Sequence, residues 1–159
     1  MDNNLPVKFL WGVFCRRVIT DRDTGEISMI DIMPALNLEQ IVPIKIDDKI
    51  PEFSINLGKS YVTALIEKSD FDGHEINKEL SIEFVQSGLK SVFVKTNLNI
   101  RSTDNSTFVN LDLRDLILTI NSLDYDSDYS FEVIYRIQEQ ELGRVKLPVK
   151  VKFKALEDE

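Results

Sequence analysis

From Tyr129 to Lys154 the chain alternates. Tyr129, Phe131, Val133, Tyr135 and Ile137 are interleaved with Ser130, Glu132, Ile134, Arg136 and Gln138. Val145, Leu147, Val149, Val151 and Phe153 are interleaved with Lys146, Pro148, Lys150, Lys152 and Lys154. Successive side chains of an extended strand point to opposite faces, whereas a helix repeats every 3.6 residues. A period of two over this length therefore demands a half-buried sheet. The short link Glu139–Gly143 predicts an antiparallel hairpin with a five-residue loop.

The same period recurs earlier. Phe9–Ile19 is apolar on both faces and reads as a central strand, with a bulge expected near Gly12. Asp21–Gly25 is a turn, and Glu26–Ile32 returns as the second strand of an N-terminal hairpin. Met33–Asp48 is broken by Pro34 and Pro43 and reads as loop or edge strand, because proline cannot donate to a ladder. Phe53–Leu57, Tyr61–Lys68, Leu80–Val85, Ser91–Ile100, Thr107–Leu113 and Leu116–Ile120 follow as strands. The apolar frame shifts from odd (Val109, Leu111, Leu113) to even (Leu116, Leu118, Ile120). Such a shift exchanges the faces, so a bulge or turn is expected at Arg114-Asp115. Leu123, six residues before Tyr129, resembles the tyrosine corner of Greek-key sandwiches.

Composition bounds the partners. The 159 residues carry 19 Lys+Arg and 27 Asp+Glu, a net charge of −8. Nucleic-acid and anionic-membrane binding rest on cationic side chains, so both are disfavoured. The single Cys15 permits no intrachain disulfide and fits a reducing compartment. No signal peptide is read at the N-terminus, since the apolar run Phe9–Cys15 is stopped by Arg16 and Arg17. No apolar stretch approaches the ~20 residues of a membrane-spanning helix. A soluble, cytoplasmic, single-domain chain (1–159) is expected.

Candidate chemistry is sparse. Asp124, Asp126 and Asp128 form D-x-D-x-D, and such a loop at one end of a sandwich could supply oxygens to calcium. It is not an EF-hand, because Tyr129 and Tyr135 stand where Gly and the bidentate Glu are needed. Aspartate is also common in turns for local hydrogen bonding alone. His74, the only histidine, cannot make a two-histidine zinc site and reads as an exposed turn residue. Cys15 shares a strand face with Val13 and Arg17 and reads as a buried structural thiol. Arg144, Lys146, Lys150, Lys152 and Lys154 form a basic stripe that could meet an acidic partner, or could simply face water or guard a sheet edge. No phosphate-binding glycine loop and no nucleophile elbow is present.

Phe14-Cys-Arg-Arg-Val18 followed by Thr24-Gly-Glu-Ile-Ser-Met-Ile30-Asp-Ile32 resembles the opening of an uncharacterised family of small bacterial β-sandwich proteins. Its F-C-x-x-V strand, turn and G-x-x-S-x-I-x-I strand are matched here. Its later extended segment, acidic turn and Y-x-F-x-V strand would correspond to Phe53–Leu57, Asp70–Gly73 and Tyr129–Val133. The chain departs at Arg16, where that family often has an acidic residue, and Ser87–Ser106 has no counterpart. The resemblance implies a sandwich in a bacterial cytoplasm. It implies no reaction and carries no catalytic residue onto this chain.

The expectation is one antiparallel β-sandwich of about eight or nine strands, an immunoglobulin-like or C2-like Greek key. Its core is expected to contain Trp11, Val13, Ile30, Val62 or Leu65, Ile82, Phe84, Val94, Leu98, Leu118, Phe131, Val133, Val149 and Val151. The expected function is a binding or assembly module without catalysis or cofactor, working through protein–protein contacts or self-association. One histidine and no visible nucleophile–base pair leave little general-base chemistry. A partner could add a strand at a sheet edge. It could also dock on Met33–Asp48 through Leu36, Leu38, Ile41 and Val42, in which case deleting Asn37–Val42 should spare the melting temperature. The alternative is a calcium- or small-ligand-binding sandwich using its acidic loops, and carboxylate hydrolysis is the weakest reading.

Overall fold

The computed structural model describes residues 5–42, 53–70, 72–86, 92–120 and 129–155. Among these there is no helix. The strands are β1 (Val7–Thr20), β2 (Ile27–Ile32), β3 (Leu36–Val42), β4 (Phe53–Asn56), β5 (Tyr61–Lys68), β6 (Ile76–Gln86), β7 (Val92–Ile100), β8 (Ser106–Asp112), β9 (Ile117–Ile120), β10 (Tyr129–Ile137) and β11 (Gln140–Ala155). A four-stranded sheet has the order β2-β1-β5-β8 and a five-stranded sheet the order β3-β11-β10-β6-β7. β4 and β9 pair as a separate ribbon.

One apolar core lies between the two sheets. The four-stranded sheet contributes Val7, Phe14, Val62, Ala64 and Ile66, and the five-stranded sheet Leu80, Ile82, Leu98, Phe131, Val133 and Leu147. Phe14 meets Phe131 and Phe9 meets Tyr135 across the gap, with ring centroids 5.8 and 5.5 Å apart. Each large apolar side chain so enclosed contributes about 1.5–3 kcal/mol relative to exposure.

A register shift between Phe9 and Trp11 places the expected β1 bulge at Leu10, two residues before Gly12. The extra residue exchanges the faces. Val7 and Phe9 point inward before it and Phe14 after it, so Trp11 and Val13 turn to the outer face of the sheet. That corrects the expected core. Trp11 packs edge-on against Phe108, centroids 5.8 Å apart, instead of entering the interior. Ile30, opposite Arg17 on the same outer face, is 38% exposed. Val94 is also 38% exposed, on the edge strand β7 beside the buried Ile82. Of the two β5 alternatives Val62 is buried and Leu65 only partly so, and Ile82, Phe84, Leu98, Phe131, Val133 and Val149 are buried as expected. The side chains of Leu118 and Val151 lie outside the described residues.

Two further expectations need correction. The final hairpin closes on Gln138 and Glu139 alone, both with positive φ (49° and 67°), not on a five-residue loop. Two-residue hairpin turns of this kind need positive φ at both positions to match strand twist. The surplus is absorbed by a register shift after Tyr135, opposite Gly143. Nor is the molecule wholly antiparallel, since β3 runs parallel to β11, Leu36 facing Val149 through Val42 facing Ala155. The chain leaves β2 in one sheet and enters β3 in the other, so the hairpin constraint that enforces antiparallel pairing does not apply there.

The odd-to-even shift near Arg114-Asp115 is a change of sheet. Leu116 N–H donates to Leu113 C=O at 2.9 Å, closing a turn between β8 and β9. The expected turn at Asp21–Gly25 is present, with Asp21 Oδ1 accepting from the backbone N–H of Asp23 and Thr24, each at 2.8 Å.

Candidate functional site

β7 is one of the two edge strands of the five-stranded sheet, with β3 at the other end, and among the described residues it bonds only to β6. Edge strands expose unpaired backbone groups, and folded proteins commonly blunt them with charge, proline or a bulge. The first half of β7 has none of these before Lys95. Val92, Phe93 and Val94 are 53%, 60% and 38% exposed. Val92 and Val94 lie on the face of Phe84 and Ile82, whereas Phe93 faces outward beside Glu83.

The outer face next to this edge holds a groove of about 500 Å³ lined by Glu79, Ser81, Glu83, Phe93, Lys95, Arg136, Gln138 and Glu139. The ladder explains the grouping. Arg136, Ser81 and Lys95 stand in register across β10, β6 and β7, and Ile134, Glu83 and Phe93 form the next row. Both cations are engaged. Lys95 Nζ lies 2.7 Å from Glu79 Oε1, and Arg136 lies 3.3 Å from Glu83 Oε2 and 3.9 Å from Glu141 Oε2. Glu139 has no ion-pair partner among the described residues, and the positive-φ turn holds it at the groove's end. Arg144, at 2.9 Å, holds the Glu141 carboxyl below its ordinary pKa through hydrogen bonding, and the charges of Arg144 and Arg136 add to the effect.

The residues singled out in the sequence fall elsewhere. Asp124, Asp126 and Asp128 lie outside the described residues, as does the side chain of Tyr129 at the expected tyrosine corner. Among the described residues no group of three or more His, Cys, Asp or Glu is placed to hold a metal ion. His74 sits exposed in a turn, its ring 3.6 Å from Asp72. Cys15 is fully buried. Burial pushes its thiol pKa up, only partly offset by the Thr63 hydroxyl and the Arg17 backbone. Burial of this kind disfavours the thiolate, the reactive form of cysteine, and fits a packing role. Of the basic stripe, Arg144 pairs with Glu132 and Glu141, and Lys146 and Lys150 face water. From residue 149 onward β3 pairs with β11, so Lys150, Lys152 and Lys154 do not lie on an open sheet edge. Leu36, offered as exposed, is buried at 8% and belongs to β3.

Phe93 and the groove were not singled out from sequence. The signal was there in Val92-Phe93-Val94, three consecutive apolar residues that break the alternation of an otherwise half-polar strand. Arg16 was likewise passed over. It donates to Leu57 C=O and Ser60 Oγ, each at 3.0 Å, and ties β1 to the β4–β5 connection.

No family model matches the chain, and no curated protein matches it. The resemblance noted for residues 14–32 therefore stands on those residues alone. No helix among the described residues is long and apolar enough to cross a membrane.

Proposed function

We propose that the chain is a non-enzymatic binding or assembly module, an immunoglobulin-like or C2-like sandwich that acts through protein–protein contacts at the open edge of β7. One observation carries this reading: Val92, Phe93 and Val94 are exposed in succession on both faces of an edge strand. A partner laid flat on one face would cover either the valines or Phe93. A strand added alongside β7 covers all three and satisfies the free backbone groups. Nucleic acid and membrane remain disfavoured as partners by the charge of −8.

The test is light scattering coupled to size exclusion, for the wild type and for Val94→Lys, with and without native-host lysate. A lysine on the edge opposes strand addition and removes little buried area, since Val94 is already 38% exposed. The expected outcome is a larger complex for the wild type that Val94→Lys loses, at a melting temperature within about 3 °C. A complex that survives Val94→Lys sinks the β7 reading.

A further inference from the structure

We infer that the occupant of the β7 edge is a second copy of this chain, the two β7 strands pairing antiparallel about a twofold axis at Val94. This rests on the strand-addition reading and names the partner. A twofold contact is isologous, so the surface must be its own complement. β7 meets that condition. Lys95 is its only charged residue, and the chain's own Glu79 already holds that ammonium at 2.7 Å. Two such edges meet without an uncompensated charge, and nothing along β7 calls for a partner of opposite sign. β2, an edge of the other sheet, also exposes apolar side chains, Ile30 and Ile32. Between them, however, stands the charged Asp31 with φ at 55°, and charge and a local break in extension are what blunt an edge.

The axis fixes the pairing. Residues directly opposite in an antiparallel pair share a face, and a twofold normal to the sheet sets one residue opposite itself. With Val94 on the axis, Phe93 stands opposite Lys95 of the second copy on the outer face. Val92 stands opposite Thr96 of the second copy on the face of Ile82 and Phe84. All three exposed apolar residues are then covered. The two Val94 side chains meet, Val92 meets the Thr96 methyl, and each Phe93 ring takes the other copy's Lys95 as a cation–π pair. Centring on Phe93 would end the overlap at Val92–Val94, and centring on Thr96 would set Phe93 against Asn99. The contact is small beside the ~1,200–2,000 Å² of a standard interface, so the dimer is weak. At long range two copies of charge −8 repel, and salt screens that repulsion. This dimer therefore tightens as salt rises, whereas a complex with an oppositely charged partner loosens.

The experiment is sedimentation velocity on the full chain from ~5 to ~500 μM, at ~50 and ~500 mM NaCl. The wild type should pass from monomer to dimer over this range, about threefold or more tighter at the higher salt. Val94→Lys sets two lysines face to face on the axis and should weaken the dimer about tenfold or more, at a melting temperature within about 3 °C. Cysteine variants read the register. Opposed residues have Cβ atoms ~4.5–5.5 Å apart, close to what a disulfide spans. Val94→Cys should thus form a covalent dimer under oxidised glutathione. In this register two Asn97 side chains lie ~20 Å apart, so Asn97→Cys, on the same strand, should not. A monomer at every concentration overturns the second copy, and strand addition is then decided by the lysate complex of Val94→Lys alone. A dimer that Val94→Lys leaves intact overturns the placement on β7, and cross-linking through Asn97→Cys in place of Val94→Cys overturns the axis.

Discussion

Tyr135 is enclosed between the sheets, yet its hydroxyl has no hydrogen-bond partner among the described residues. A buried, unpaired polar group costs about 1–3 kcal/mol. Tyr135→Phe is therefore expected to leave stability unchanged or raise it by about 1 kcal/mol, read by urea denaturation. A loss larger than about 1 kcal/mol would show that the hydroxyl is satisfied. Burial also pushes the Tyr135 pKa well above its ordinary value. The folded state then holds this proton more tightly than the unfolded chain. The stability it contributes is complete below the unfolded value of about 10 and declines as pH rises through the folded one. At the acid end the sign reverses. Asp21 is lowered chiefly by the backbone N–H groups of Thr24 and Asp23, Asp112 by the Arg114 side chain, and Glu141 by that of Arg144. Their contributions are complete above the unfolded carboxylate range near ~4 and are lost as pH falls through the lower folded values. A melting-temperature profile should decline below pH ~4. In Asp21→Asn that acid decline should be shallower, and an unchanged slope would remove Asp21 from the account.

At the scale of elements, two features of the final hairpin are stressed. Gln138 and Glu139 both occupy the left-handed region, which costs a non-glycine residue roughly 1 kcal/mol or more. Placing Asn at 138 and Gly at 139, the pair suited to this turn, should stabilise the chain by about 1 kcal/mol in the same denaturation assay. No gain would mean that the turn does not limit the hairpin. The second feature is the close approach of β1 and β11. A Cβ on Gly12 would collide with Val145, and one on Gly143 would lie 2.5 Å from the Phe9 ring. Gly12→Ala is expected to cost about 1–3 kcal/mol, because the sheets must part or Val145 must leave its rotamer. A neutral result would show that the sheets slide freely at this point. Gly12 thus has a packing role, and the bulge expected near it falls at Leu10.

Across the whole molecule, β3 decides how the five-stranded sheet ends. It is bonded in parallel to residues 149–155 of β11, and Leu36 is buried. Deleting Asn37–Val42 is accordingly expected to lower the melting temperature by several degrees, since it strips the cover from a core-bearing strand. This reverses the expectation for a free docking segment, and an unchanged melting temperature would restore it. The two sheets are also joined at their rims. Lys68 is buried at 1%, and its ammonium donates to Arg101 C=O at 2.7 Å, fastening the β7–β8 connection to β5. Gln86 does the same for the ribbon, its side-chain amide bonding both the N–H and the C=O of Thr119. Removing either side chain should loosen one rim while the central ladders persist, an outcome hydrogen exchange would resolve strand by strand.

Sequence by itself determined the strands. The period of two in residues 129–154, the Asp21–Gly25 turn and the odd-to-even shift before Leu116 all have local causes, and each corresponds to an element or a turn in the structure. Alternation is a property of neighbours along the chain, so it can be read without knowing what packs against it. Tertiary structure decided which face is inside and which edge is free. The single extra residue at Leu10 sent Trp11 and Val13 outward, although the pattern of β1 is apolar on both faces. The crossing from β2 to β3 made one pairing parallel, and strand order alone left β7 with an open edge. The groove was illegible for the same reason. Glu79, Phe93 and the hairpin residues Arg136 and Glu139 come from three stretches separated in sequence, and only the ladder register brings them to one surface. Register and sheet order are set by contacts summed over the whole core, and no local window of residues contains them.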